Sequence, residues 1–309
     1  MALLSVEDLK VYFPIKGGIF ARTLDYVRAV DSVSFDIEPG QTVGLIGESG
    51  SGKSTTGRAI VGLSKITAGK ISFDGEDITK YVGKNRSSYR RGVQMIFQDA
   101  YSSLDPKRRV LDLVAEPLRN FEKLTKAEER RRVDELLEIV GLGPENAIKY
   151  PHEFSGGQRQ RIGIARAVAL KPRLIIADEP VSALDLSVQA QVLNYLKHIQ
   201  QEFKLAYLFI SHDLGVVKYM CDHLLIMHRG RFVERGGRAD IYENPTHIYT
   251  KQLIAAIPDP DPEKKDDSMA RRARINQEYE TLKTMHYDPN GRVYDLRAVS
   301  DTHSVALPE

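Results

Sequence analysis

The 309 residues contain one cysteine and no tryptophan. A lone thiol, Cys221, excludes an intrachain disulfide framework and any all-cysteine metal cage, and it fits a reducing compartment. No apolar run reaches the ~18–20 residues that span a bilayer. Excess charge is also missing. Lys+Arg 44 against Asp+Glu 42 leaves +2, so no chain-wide basic field asks for nucleic acid as a partner. The opening stretch MALLSVEDLKVYFP places Glu7, Asp8 and Lys10 where a secretion signal needs an apolar core. These absences point to a cytoplasmic protein that meets a membrane only through a protein partner. What is present is ordinary for a globular chain: 42% hydrophobic and 28% charged residues, with a length suggesting about two structural units or one α/β domain with an extension.

Val30–Ile37 alternates apolar and polar residues, the pattern of a half-buried strand. Glu38-Pro39-Gly40 is a turn. Thr42–Ile46 is a short apolar run that ends in glycines, as a buried strand does. Thr125 and Glu128 have capping-box spacing, ahead of Val133, Leu136, Leu137 and Val140 at helical spacing. A second helix is expected from Ser155, with Ile162, Ile164, Ala165 and Val168 inward. Arg173–Ala177 and Leu205–Ile210 read as buried strands, with a helix carrying Val188, Val192, Leu196 and Ile199 between them. Strands alternating with helices predict a largely parallel sheet covered on both faces. Lys107–Val140 reads as a helical insertion, and Pro258–Asp267 as a polar, proline-rich linker.

Gly47-Glu48-Ser49-Gly50-Ser51-Gly52-Lys53-Ser54 has the form G-x-x-x-x-G-K-S, between a predicted strand and a helix-compatible run beginning at Thr55. Its glycines let the backbone N–H groups converge into an anion-binding nest, and the following helix adds its positive end. Lys53 can reach the β- and γ-phosphates and the Ser54 hydroxyl can ligate Mg²⁺. The run Leu174–Glu179 brings two carboxylates out at the C-terminal end of a buried strand, where open parallel sheets bind ligands. Asp178 is placed to hold Mg²⁺ and Glu179 to polarise a water; the plainer alternative is that they only begin the turn at Pro180. Ser155-Gly156-Gly157-Gln158 also fits a capping box. Two glycines in a first helical turn are costly unless something approaches the backbone closely, so this helix start is a second candidate phosphate site.

GESGSGKST, SGGQ, IIADE, SALD and a strand-terminal His212, in that order, resemble the ATP-binding cassette (ABC) ATPases over about residues 1–235. The resemblance implies an α/β P-loop fold: a RecA-like core with an antiparallel β-subdomain (1–97 and 166–235), a helical subdomain carrying the signature (98–165) and a C-terminal extension (236–309). It also implies a head-to-tail pair of cassettes that sandwiches two ATP. Gln98 matches the Q-loop glutamine near Mg²⁺ and the attacking water. Ser155, Gly156, Gly157 and Gln158 match the signature that meets the partner's γ-phosphate. Asp185 matches the D-loop and His212 the γ-phosphate-sensing histidine. The family stacks a ring on adenine; Tyr26 is the candidate, with Tyr12, Phe13 and Phe20 competing. Phe154 replaces the usual leucine ahead of SGGQ.

Pro151–Arg161, Gln98–Pro106, and Glu243-Asn244-Pro245 followed by His247-Ile248-Tyr249-Thr250 look like the oligopeptide/dipeptide branch, where the last motif usually reads His-Pro-Tyr-Thr. That branch implies a paralogous or identical ATPase partner, two transmembrane permease subunits and an extracytoplasmic peptide-binding protein. The cassette would sit peripherally on the cytoplasmic face of the membrane, with ATP and Mg²⁺ as cofactors. Without cysteine after Cys221, the branch's iron–sulfur cluster is not expected. Cargo such as nickel, or a non-transport cassette ATPase, is the alternative. A P-loop kinase or GTPase lacks SGGQ, and no guanine-specific N-K-x-D follows. Cys221 reads as a core residue. His152, His198, His223 and His228 lack metal-ligand spacing, and Arg130–Arg132 and Arg271, Arg272 and Arg274 read as solvated helix faces.

Overall fold

The computed structural model describes residues 1–17, 22–79, 86–99, 103–257 and 265–308. They group into two compact units, one of residues 4–36, 42–72 and 211–309, the other of residues 1–3, 37–41 and 73–210.

In the first unit, strand Leu4–Gly17 lies between Arg22–Ile37 and Ala68–Phe73. Val33, Phe35 and Ile37 point inward and Ser34 and Asp36 outward, as the alternation predicts. The strand begins earlier than expected, at Arg22, and its first seven residues are exposed. In Leu4–Gly17 the inward set is Leu4 and Val6, then Leu9 and Val11. The step of three coincides with Asp8 in the left-handed region, φ 47, as an inserted residue in a strand requires.

A second set of strands carries the P-loop. Thr42–Ile46 runs parallel to His223–His228, with Val43 opposite His223 and Ile46 opposite Ile226. His223–His228 then turns back through Arg229 and Gly230 into Arg231–Gly237. Both turn residues have positive φ, 48 and 81, the signature of a tight turn matched to strand twist. The C-terminal tail is part of this layer. Ser304–Ala306 pairs antiparallel with Arg231–Gly237, and Leu296–Ala298 pairs with Ser304–Ala306. Helix Lys265–Leu282 packs on helix Ile248–Ala255. Cys221 is buried, and burial pushes its thiol pKa up, so it is a core residue.

Two buried carboxylates tie the tail down. Glu234, with no exposed surface, accepts from the Thr246 N–H at 2.8 Å, the His247 N–H at 3.0 Å and pairs with His303 Nε2 at 2.7 Å. Asp31 accepts from the Tyr12 hydroxyl at 2.5 Å and pairs with Arg292 at 3.0 Å. Burial raises the Asp31 pKa, but the Tyr12 hydroxyl and the arginines outweigh it and hold it below the usual value.

His228 and His247 are kept neutral by burial, which lowers their pKa values to about 4 and about 3. Arg229 faces His228, and His286 and His228 face His247, adding to the same direction. Between pH 6.5, the ordinary histidine value, and pH 4 the unfolded chain therefore binds more protons than the folded one, so stability falls as pH falls through that window. At about 1.4 kcal/mol per pKa unit, the loss is on the order of several kcal/mol. Urea midpoints at pH 7 and pH 5 check this; a midpoint that does not fall on acidification contradicts neutral, buried imidazoles.

In the second unit, Leu174–Asp178 lies between parallel strands Val93–Ile96 and Ala206–Ser211. Leu174, Ile175, Ile176 and Ala177 have no exposed surface, which explains the unbroken apolar run. Burying each of the three larger side chains stabilises the fold by roughly 1.5–3 kcal/mol. Helix Leu186–Phe203 makes the connection to Ala206–Ser211, with Val192, Leu196 and Ile199 buried.

Three further helices, Val110–Phe121, Lys126–Ile139 and Gly156–Val168, pack on one another. Both expected capping boxes form, at Thr125 with Glu128 and at Ser155 with Gln158. The expectation that Arg130–Arg132 make a solvated face needs correcting. Arg130 pairs with Asp134 and donates to the Pro144 carbonyl. Arg132 donates to the Ala169 carbonyl, and Arg131 is the most exposed of the three. Carbonyls and carboxylates within reach compete with water for a guanidinium, and they win twice. Arg271, Arg272 and Arg274 are exposed, as expected. Most of the Pro258–Asp267 linker (258–264) lies outside the described residues.

Candidate functional site

The glycine-rich turn begins where Thr42–Ile46 ends and closes into helix Lys53–Ile60. Gly52, the residue ahead of the helix, has φ 110 and Gly50 has φ 82. A side chain at Gly52 is barred twice, since a Cβ there would lie 2.2 Å from the Ala29 carbonyl oxygen. A Cβ at Gly47 would lie 2.1 Å from the Met227 carbonyl oxygen. These close approaches press the turn against the strands beneath it. The Gly230 N–H donates to the Ser51 carbonyl at 2.9 Å.

Lys53 is 4% exposed, and its ammonium donates to the carbonyls of Gly47 and Glu48, both at 2.7 Å. Ser51 Oγ is buried and has no hydrogen-bond partner among the described residues. A buried hydroxyl left unsatisfied, a captive ammonium and a helix N-terminus together form a cradle that fits a polyphosphate. The Ser54 hydroxyl, in the first turn of the helix, is of a kind that can ligate the Mg²⁺ such a ligand carries.

In the second unit, Asp178 ends its strand at 1% exposure. Glu179 follows in the left-handed region, φ 47, which a non-glycine residue occupies only at a cost of order 1–3 kcal/mol. Its N–H donates to the Ile210 carbonyl at 3.0 Å, and Ser182 donates to its carbonyl through both N–H and Oγ. These bonds hold the strained residue so that its carboxylate meets Gln98. Gln98 Nε2 donates to Glu179 Oε2 at 2.9 Å. The two are 81 residues apart in sequence.

Gln98 and Asp99 line a cleft of about 180 Å³ together with Gly156, Arg159, Gln160 and Pro180. The start of the Ser155 helix thus shares a cleft with the glutamine. Its two glycines differ. A Cβ at Gly157 would lie 2.3 Å from a Val188 methyl, a packing constraint within the chain. A Cβ at Gly156 would meet nothing nearer than Leu184 at 3.8 Å. Packing within the chain therefore explains Gly157 and not Gly156. Asp185 caps helix Leu186–Phe203, accepting from the Val188 N–H at 3.0 Å and the Ser187 hydroxyl at 2.8 Å. The Val188 N–H, and then Ser187, hold its pKa below the usual carboxylate value.

His212 is exposed, one residue past strand Ala206–Ser211. Its neighbours fix that turn: Asp213 N–H donates to Ser211 Oγ at 2.9 Å, and Asp213 caps the next helix, Leu214–Met220. Tyr26 is 51% exposed. Tyr12 is held by Asp31 and Phe13 is 45% exposed. Phe20, and Ala100–Ser102 of the stretch after Gln98, lie outside the described residues.

Two family models match the chain: "ABC transporter" over residues 30–182 and "Oligopeptide/dipeptide transporter, C-terminal region" over residues 233–286. The oligopeptide transport ATP-binding protein OppF of Lactococcus lactis subsp. lactis (strain IL1403) is 53% identical over 307 residues, which is 99% of this chain and 96% of that protein. The chain belongs to the ABC transporter family, as an ATPase subunit of its oligopeptide/dipeptide branch. OppF of Bacillus subtilis (strain 168) is 48% identical over 99% of this chain and 96% of that protein. The glutathione import ATP-binding protein GsiA of Shigella flexneri is 49% identical over 99% of this chain but 49% of its own length. Among solved structures, the dimeric post-hydrolysis state of the ATP-binding cassette MJ0796, bound to ADP and Pi, has a TM-score of 0.68 at 27% identity, covering 76% of this chain and 98% of that one. The ABC ATPase fold expected from the motif order is therefore the fold of this chain.

Sequence reasoning missed one contact at this ATPase's P-loop. The Glu48 N–H donates to the Tyr249 hydroxyl at 2.9 Å. Tyr249 belongs to the branch motif at 247–250, but nothing in that motif announces a partner 201 residues away.

Proposed function

We propose that this ATPase subunit powers the import of oligopeptides or dipeptides, working as one half of a cassette pair beneath two transmembrane permease subunits. Its helical part is residues 98–165. An extracytoplasmic binding protein would deliver the peptide, and this subunit would sit on the cytoplasmic face of the membrane. The names of its relatives support peptide cargo, and glutathione, which one relative imports, is itself a small peptide.

The hydrogen bond from Gln98 to Glu179 carries the hydrolytic part of this reading. It sets a glutamine able to hold a water against a carboxylate able to accept its proton. In this reading Glu179 is the general base and Gln98 orients the water. Lys53 and the N–H groups of residues 49–55 hold the phosphates. Ser54, Asp178 and Gln98 are the donors available to Mg²⁺, which supplies charge stabilisation at the phosphoryl oxygens when bound. His212 senses the γ-phosphate, and Tyr26 offers a ring to adenine. Exposed Ser155 and Gly156, with Gly157, Gln158 and Asp185, belong to the face offered to the partner's nucleotide. That similar cassettes are dimeric supports this pairing. No helix among the described residues is long and apolar enough to cross a membrane.

Uptake of a labelled oligopeptide by cells with and without this gene tests the cargo. Uptake should fall to background without the gene and return with it. Unchanged uptake across di-, tetra- and hexapeptides would remove peptides as the cargo while leaving the ATPase reading intact.

A further inference from the structure

We infer that Tyr249, from the C-terminal region, is a positioning residue for the nucleotide site and acts through a single peptide group of the P-loop on Lys53. This rests on reading residues 47–55 as the triphosphate cradle.

The peptide joining Gly47 and Glu48 is gripped on both sides. Its N–H donates to the Tyr249 hydroxyl at 2.9 Å, and its carbonyl accepts from the Lys53 ammonium at 2.7 Å. A peptide is planar, so fixing its N–H fixes the direction of its C=O. Donation on one side also polarises the group and strengthens acceptance on the other. The Glu48 carbonyl is the second seat of the same ammonium, at 2.7 Å. Releasing the N–H would let this peptide rotate and would loosen both seats of Lys53.

Tyr249 is suited to the task because it has little freedom of its own. It is fully buried. Its N–H donates to His247 Nδ1 at 3.1 Å, and its ring stands edge-on to His228 with centroids 4.3 Å apart. His247 is anchored in turn, since its N–H donates to buried Glu234, which also binds His303 of the tail. What Tyr249→Phe removes at the P-loop is the hydroxyl. The ring, and hence the packing, stays.

The full-length chain supplies the test. In Tyr249→Phe the dissociation constant for a fluorescent ATP analogue should rise about three- to tenfold, the range for one hydrogen bond. KM for ATP should rise in parallel, with kcat within twofold. In a Lys53→Ala background the same substitution should have less than half that effect in logarithmic terms, because its route to the ligand is gone. His286→Phe, which alters a ring packed on His247 at 4.5 Å without touching the P-loop, should leave nucleotide affinity unchanged. An unchanged dissociation constant in Tyr249→Phe overturns the proposal. So does an equal rise in His286→Phe, or an undiminished effect in the Lys53→Ala background. If Lys53→Ala alone leaves binding intact, the cradle reading itself fails, which is a distinguishable result. Hydrogen exchange of the native chain needs no variant: the Glu48 amide should be protected without nucleotide, and exchange at the rate of an open loop contradicts the contact.

Discussion

Glu179→Gln should lower ATP turnover by at least about a hundredfold while nucleotide binding persists, because general-base catalysis is worth roughly 10²–10⁴. The substitution keeps the shape of the side chain and an oxygen that Gln98 Nε2 can still donate to. What it removes is the ability to accept a proton. The left-handed backbone at this position, φ 47, is held by main-chain bonds to Ile210 and Ser182 that do not involve the carboxylate, so the geometry should survive. Phosphate release in the assembled transporter, measured beside equilibrium ATP binding, separates the two effects. Turnover within a few-fold of the native enzyme would remove Glu179 from the role of base.

Lys53→Ala should do the opposite, weakening nucleotide binding itself by roughly 30- to 5000-fold. Truncating one partner of a buried charged hydrogen-bond pair costs about 2–5 kcal/mol. The ammonium satisfies itself on two carbonyls of the turn. The phosphates would compete with those neutral oxygens and prevail by charge. The folded chain should also lose some stability, because the Gly47 and Glu48 carbonyls lose this buried donor, so the thermal midpoint without ligand should fall. Nucleotide titration with a melting curve on the same sample reads both. Native affinity in the variant would refute the cradle.

Several features are legible in the sequence because they are local. The turn at 47–54 needs glycines where φ is positive, and a helix must follow. Ser155 with Gln158 and Thr125 with Glu128 satisfy their own helix starts within four residues. The run Leu174–Ala177 announces burial on both faces by lacking alternation. Even the departures have local causes: the strand Leu4–Gly17 slips its alternation at Asp8, whose backbone conformation no propensity predicts.

Other features are illegible there because their partners are far apart in the chain. Arg130 and Arg132 look solvated in sequence, yet reach carbonyls at Pro144 and Ala169. The sequence alone gives the C-terminal extension no role, yet its end supplies two antiparallel strands and the histidine that meets Glu234.

From the residues alone came the glycine-rich turn at 47–54, the adjacent carboxylates at a strand end and the capped helix at Ser155, since contiguous residues set backbone conformation directly. Tertiary structure alone decided that Gln98 meets Glu179 and that Tyr249 holds the peptide of Glu48. Those contacts span 81 and 201 residues. No local rule selects such partners; they are chosen by which strands pair and which faces must be covered.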